Sequence, residues 1–136
     1  MEFIKKFIDV EYIVVDGVSN DNTLDIIKNF HKKGVIDKYI SEVDNGIYDA
    51  MNKGIYLSKG NHIVFLNSDD MFTKNACEYF KNCVSNDYDA CYSNIAIVDQ
   101  YDISKVIRIY KPGNFNQKKF RYGWQVPHPG FIAKKS

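Results

Sequence analysis

Residues 41–70, SEVDNGIYDAMNKGIYLSKGNHIVFLNSDD, constrain this chain more than any other stretch. They read in order as an acid-bearing turn, an amphipathic helix, a glycine stop, a buried strand, and two adjacent carboxylates where that strand ends. In an open α/β sheet, ligands bind outside the carboxyl ends of the strands, so Asp69 and Asp70 stand where a metal ion or sugar phosphate would be held. From about Ile47 to Ser58, the positions Ile47, Ala50, Met51, Gly54 and Ile55 follow the i, i+3, i+4, i+7, i+8 pattern of one buried helix face. Asp49, Asn52, Lys53 and Tyr56 lie off that stripe. Gly60 is the predicted stop, and His62 to Leu66 the buried strand.

The rest of the chain repeats this alternation. Phe3, Ile4, Phe7 and Ile8 recur at helical spacing, so the first residues read as the last turns of an amphipathic helix. Tyr12 to Val15 is a short β-branched run, as in a strand covered on both faces, and it ends at Asp16-Gly17. Ser19 to Asn22 offers a helix cap. Leu24, Ile27 and Phe30 form the buried stripe of the next helix, Asp25 favours the positive end of its dipole, and Gly34 stops it. Lys38 to Val43 is a further strand. Thr73 is the predicted cap of a helix whose Ala76, Cys77, Phe80 and Val84 point inward. Ala90 to Val98 and Val106 to Tyr110 read as two more strands. Pro112-Gly113 breaks the pattern, and Pro127 and Pro129 flank His128 in a loop ahead of a strand beginning at Gly130. Strands alternating with helices at this spacing imply parallel βαβ units and a three-layer α/β/α domain with a mostly parallel sheet.

A length of 136 residues with 45% hydrophobic content suffices for one packed domain and leaves little room for a second. The formal charge is only +1, but its distribution is uneven: beyond Asp102 there are eight basic residues and no acidic one. Lys105, Arg108, Lys111, Lys118, Lys119, Arg121, Lys134 and Lys135 can face anionic lipid, a phosphorylated acceptor or simply water. The interleaved Phe115, Phe120, Tyr122 and Trp124 make a nucleic-acid surface conceivable, but it ranks last. Three cysteines, Cys77, Cys83 and Cys91, form no CxxC pair and are odd in number, which predicts reduced packing thiols in a cytoplasmic protein. No apolar run approaches the roughly 18 residues needed to span a bilayer. Peripheral attachment at the inner face of the membrane stays open.

Several motif readings fall away. There is no GxGxxG after a strand, no GxxxxGK[ST], no GxSxG elbow and no HExxH. What remains is a set of carboxylates and amides at strand ends: Asp16, Asp44, Asn67, Asp69 and Asp70. Hard cations such as Mg2+ and Mn2+ take oxygen ligands, and use one or two protein carboxylates beside substrate phosphates. Each residue also has a plain structural reading. Asp69 or Asp70 can cap a turn, Asp16 can close a strand, Asp44 can cap a helix, Asp49 can pair with Lys53 at i,i+4, and His128 can serve the fold alone.

Taken together, EYIVVDGVSNDNTLDII, SEVDNGIYDAMNKGI and GNHIVFLNSDDMF closely resemble the family 2 glycosyltransferases of the GT-A fold, from Glu11 onward. The resemblance is strongest to the bacterial O-antigen, capsule and exopolysaccharide branch. It implies a transferase that moves a sugar from a nucleoside-diphosphate sugar to a saccharide or lipid-linked acceptor, with Mn2+ or Mg2+ as cofactor and no nucleic-acid partner. The metal-binding DxD region corresponds to Asn67-Ser68-Asp69-Asp70, with Asp69 and Asn67 at the metal, and Asp16, Asp44, Asp49, Asn52, Asp70 and His128 assigned to substrate. Two departures stand out: Asp16-Gly17 where many members have Asp-Asp, and Asn67 in place of the first Asp of DxD.

The same resemblance predicts that residues 1–136 are a partial catalytic domain, lacking the first strand of the fold and the C-terminal part. The catalytic base is expected beyond Ser136. Two alternatives from other classes remain at this point. A catalytically inactive nucleotide-sugar binding remnant would bind without turnover. Another Mg2+-dependent α/β protein, such as a phosphatase or receiver domain, would carry its acidic cluster after its first strand, whereas here the pair follows a later one.

Overall fold

The computed structural model describes residues 2–6 and 8–135, so Phe7 of the N-terminal helical pattern lies outside the described residues. The chain divides into two compact units, Met1–Asn61 and His62–Ser136. Both mix helices and strands, as an α/β chain should.

The first unit runs α1 (Glu2–Lys5), β1 (Ile13–Asp16), α2 (Thr23–Lys32), β2 (Lys38–Ser41) and α3 (Ile47–Leu57). β1 and β2 pair in parallel, from Ile13 opposite Lys38 to Asp16 opposite Ser41, with α2 as the crossover that parallel strands require. β1 includes Asp16 because its carbonyl still accepts a ladder bond from Glu42 N–H at 3.0 Å. β2 stops at Ser41, short of the predicted Val43, which is left exposed. At the opposite end of the strands, Lys38 pairs with Glu11 at 2.6 Å and donates to the Leu57 carbonyl at the end of α3. Asp37 pairs with Lys5 and accepts from Tyr12 N–H. α3 packs on β1 through Gly54, where a Cβ would meet Val15 Cγ2 at 3.8 Å.

The helix boundaries differ from the sequence pattern for local reasons. Asn22 stands at the N-cap of α2 without a side-chain bond, and Asp21 instead takes Thr23 N–H at 2.9 Å. Ser58, not Gly60, ends α3: its backbone turns extended while its N–H and hydroxyl return to the Gly54 and Ile55 carbonyls. Ile47, predicted to be buried, is exposed in the first turn.

The second unit contains β3 (His62–Val64), α4 (Ala76–Ser85), β4 (Ala90–Cys91), β5 (Ile95–Val98), β6 (Val106–Tyr110), a 3-10 helix (Gln117–Tyr122) and β7 (Ile132–Lys134). Among the described strands only β1 and β2 pair in parallel. The expected mostly parallel sheet gives way here to antiparallel pairing, because β7 lies between β3 and β4, and β5 forms a hairpin with β6. The single run predicted from Ala90 to Val98 is broken at residues 92–94 into β4 and β5. β3 ends at Val64, two residues short of its predicted end. α4 begins after Asn75 rather than Thr73, whose carbonyl takes Ala76 N–H in the preceding turn.

Buried residues of α4 are Ala76, Cys77, Phe80 and Cys83; Val84, predicted inward, faces out. The buried face turns toward β4, where Cys83 interacts with Cys91, and burial first, then that neighbour, pushes the Cys83 thiol up to about 12. Such thiols pack and do not react. β7 starts at Ile132 rather than Gly130 because Gly130 is left-handed (φ 75°), where an extended ladder cannot continue. The Gly130 carbonyl accepts from Tyr79 Oη at 2.9 Å, and a Cβ on Gly130 would collide with Ser93 Oγ.

Gly130→Ala is therefore expected to cost about 1–3 kcal/mol through the left-handed backbone and the collision together. Adding Ser93→Ala should return the collision part only. Urea unfolding of both single variants and the double variant checks this, and strictly additive losses would disprove the contact.

Candidate functional site

Each unit gathers some of the predicted residues at the carboxyl ends of its strands. In the first, Asp16 ends β1 with only 5% of its surface exposed. A carboxylate that deep requires donors. It has three: Ser19 N–H at 3.2 Å, Ser19 Oγ at 2.5 Å and Ser41 Oγ at 2.6 Å. The Ser19 hydroxyl and then the Ser41 hydroxyl hold the Asp16 carboxyl below its ordinary 3.8, against the opposing pull of burial. Ser41 reaches it because the parallel register sets these two residues opposite each other. Between Asp16 and Ser19 the chain passes through Val18 at φ 67°, a left-handed position that β-branched residues avoid.

Asp44 lies in the loop after β2, against Gly17. A Cβ at Gly17 would stand 2.6 Å from Asp44 Oδ2, so the carboxylate fills the space that a side chain at 17 would take. The departure Asp16-Gly17 thus has a steric counterpart, since Asp44 brings its negative charge to the same strand end. Asp44 Oδ1 also accepts Gly46 N–H at 2.9 Å. Asp49, in the first turn of α3, takes Asn45 N–H at 3.0 Å and lies 3.6 Å from Lys53 Nζ. Lys53 is further held by Glu42 and the Val43 carbonyl, so its charge serves the loop before α3. Asn52, one turn on, is exposed.

In the second unit, residues 67–70 form a tight turn after β3. Asp70 N–H donates to the Asn67 carbonyl at 3.1 Å, and Asn67 Nδ2 donates to Asp70 Oδ2 at 3.0 Å. Asp69 is exposed at its corner and enters no hydrogen bond or ion pair among the described residues. Its oxygens and Asn67 Oδ1 are oxygen donors of the kind a hard divalent cation takes. Among the described residues no three His, Cys, Asp or Glu side chains converge on one point. A cation held by so few protein groups would have to draw its other ligands from phosphate oxygens and water. His128 belongs to the same sheet end, since β7 runs antiparallel to β3 and its ring lies 5.9 Å from that of Phe65. The turn that carries it closes with Phe131 N–H on the His128 carbonyl.

The structure thus brings Asp16 and Asp44 together in one unit, and Asn67, Asp70 and His128 to one sheet end in the other. Four residues were missed in the sequence. Ser19 had a signal, a hydroxyl three positions after an aspartate. Ser41, Tyr79 and Ser93 had none, because their roles come from pairing across the fold.

The model of the family described as Glycosyl transferase family 2 matches residues 3–133. A PGL/p-HBAD biosynthesis glycosyltransferase of Mycobacterium bovis (strain BCG / Pasteur 1173P2) is 41% identical over 66 residues, covering 46% of this chain and 25% of that protein. The poly(ribitol-phosphate) beta-N-acetylglucosaminyltransferase TarP of Staphylococcus aureus (strain N315) is 35% identical over 80 residues, covering 57% of this chain and 24% of that protein. The chain therefore spans about a quarter of the length of these curated relatives. No solved structure gives a significant match.

Two outcomes test the Asp16 network. Val18→Gly is expected to stabilise the protein by about 1 kcal/mol, because glycine accepts the left-handed turn without strain; a loss of stability would show that the Val18 side chain matters more than its backbone. The pH response has a definite sign. A folded-state pKa below the unfolded value contributes stability that is complete above pH ~4 and is lost as pH falls through the folded value. Stability measured by urea unfolding between pH 6 and pH 2 should decline less steeply in Asp16→Asn and Ser41→Ala than in the wild type. Equal slopes would assign the acid sensitivity to other carboxylates.

Proposed function

The chain belongs to glycosyl transferase family 2, and on that premise we propose that it is part of the catalytic domain of an enzyme moving a sugar from a nucleoside-diphosphate sugar to a saccharide or lipid-linked acceptor in bacterial cell-surface polysaccharide synthesis. The observation that carries the reading is the family match over residues 3–133, nearly the whole chain. Family membership implies the GT-A fold, and the two units are read as two parts of one such domain.

Within this reading Asp69 and Asn67 Oδ1 hold a divalent cation, Mn2+ or Mg2+. A cation held by these residues would supply neutralisation of the charge gathering on the departing nucleoside diphosphate. Asp70, with one oxygen held by Asn67, keeps the other for a donor hydroxyl. Asp16 and Asp44 receive the nucleoside portion, Asp49 and Asn52 line the approach along α3, and His128 contacts the donor from the turn before β7. Among the described residues no helix is long and apolar enough to cross a membrane. A cytoplasmic setting, with peripheral contact at the inner face of the membrane, is part of the proposal.

Asp69→Ala is expected to abolish the Mn2+-dependent part of nucleoside diphosphate binding. Asp70→Ala, which removes only the neighbour of the ligating groups, should weaken it about tenfold. Calorimetric titration of nucleoside diphosphate with and without Mn2+ provides the measurement. Equal metal stimulation in the wild type and Asp69→Ala would sink the assignment.

A further inference from the structure

The 3-10 helix and the loops around it carry a surface that the transfer reaction leaves unused. Trp124 is the centre of an aromatic cluster: its ring meets Phe120 at 5.0 Å, and Phe115 and Tyr92 each at 6.0 Å, all edge to face. The cluster is fixed from below. Trp124 Nε1 donates to the Pro112 carbonyl at 2.9 Å, Tyr92 Oη to the Gly113 carbonyl at 2.8 Å, and Tyr110 Oη to the Gln125 carbonyl at 3.2 Å. Asn116 caps the helix through Lys118 N–H, and Gly123, left-handed at φ 80°, closes it.

A set of rings tied this firmly would normally form a core, yet Phe115 is 63% and Phe120 47% exposed, and Tyr122 beside them in the chain is 88% exposed. Contiguous exposed apolar surface of this kind marks an interaction site. Its flanks are cationic: Lys111, Lys118, Lys119 and Arg121 enter no salt bridge among the described residues. Beyond Asp102 the chain has no acidic residue to balance them. Lys134, by contrast, is engaged by Asp87 and Asp89 and is not available.

We propose that residues 111–124 form a membrane-surface element that seats the protein on anionic lipid. Aromatic rings with a polar edge favour the depth of the headgroups, where one face is wet and the other apolar. Lysine and arginine beside them gain from the negative surface potential of the leaflet. The charge complementarity selects the occupant, because a second copy of this chain meeting it symmetrically would set the same four cations against one another. An apolar protein partner would leave them unused. The rigid base matters too, because the rings need no ordering when they meet the surface. This inference rests on the peripheral contact included in the proposed function and assigns it to named residues, and its test is separate from that of the Asp69 assignment.

Trp124 is the chain's single tryptophan, so its fluorescence reads the element directly. The test uses vesicles of phosphatidylcholine alone and of equimolar phosphatidylcholine and phosphatidylglycerol. Expected are a blue shift and co-sedimentation with the mixed vesicles only, weakening as salt rises, and quenching of Trp124 by brominated phosphatidylglycerol. Replacing Lys118, Lys119 and Arg121 together by Gln should weaken binding roughly 100-fold, at about fivefold for each near-surface cation. Phe115→Ser with Tyr122→Ser should remove the binding that survives high salt. Lys28→Gln with Lys32→Gln on α2 should leave it unchanged. The wild-type quenching keeps the test meaningful if a variant misfolds. Equal binding to neutral vesicles, tighter binding to a single-stranded RNA oligonucleotide, or a blue shift produced by self-association without lipid would each overturn the proposal.

Discussion

Burial of the Asp16 carboxylate is the constraint on which the first unit depends. An ionised group with 5% exposure is tolerated only when donors replace its water, and here two serines from different parts of the chain supply them. Ser41 can do so in one parallel register only, because a slip of one residue would turn its hydroxyl to the other face of the sheet. Ser19 can do so only if the chain doubles back within three residues, which sends Val18 into the left-handed region. The strain at Val18 is of order 1–2 kcal/mol. Charge-assisted hydrogen bonds of about 1.5–3 kcal/mol each offset it. Strand register, turn geometry and a backbone outlier thus follow from one charge.

The second unit is organised by β7. By entering antiparallel between β3 and β4, it completes the ladders of both and carries the turn at residues 127–131 to the end of β3. That turn is fixed by the Tyr79 hydroxyl on the Gly130 carbonyl and by the close approach of Ser93, which only glycine at 130 permits. Burial holds the Tyr79 phenol well above its ordinary range, so it stays a neutral donor. The consequence is a stable placement of His128 at the same sheet end as the turn at residues 67–70.

The strand-end carboxylates are not equivalent, and the difference is one of commitment. Asp16 is held by two hydroxyls and a backbone N–H, so it brings a fixed shape and negative potential to its strand end. Asp49 is taken by Asn45 N–H and lies beside Lys53. Asp70 gives one oxygen to Asn67. Among the described residues Asp69 alone in the turn at residues 67–70 enters no hydrogen bond or ion pair, which suits the metal-ligating role proposed for it.

Local pattern was enough for the sequence to determine the helices and part of their inward faces, though Ile47 and Val84 turn outward. Ile27, Ala76, Cys77 and Phe80 face inward as their spacing predicts. The strands at Lys38, His62 and Val106 begin where their β-branched or apolar runs begin. The acidic turn at residues 67–70 was equally legible, since a strand followed by carboxylates is a contiguous signal. Tertiary structure decided what no window of the sequence contains. The Ser41 hydroxyl on Asp16, the approach of Asp44 to Gly17, the antiparallel entry of β7 and the inward turn of Cys83 rather than Val84 all depend on residues distant in the chain. Helix periodicity and turn chemistry are set within a few neighbouring residues, whereas pairing register and the satisfaction of a buried charge are set by whatever element arrives from elsewhere.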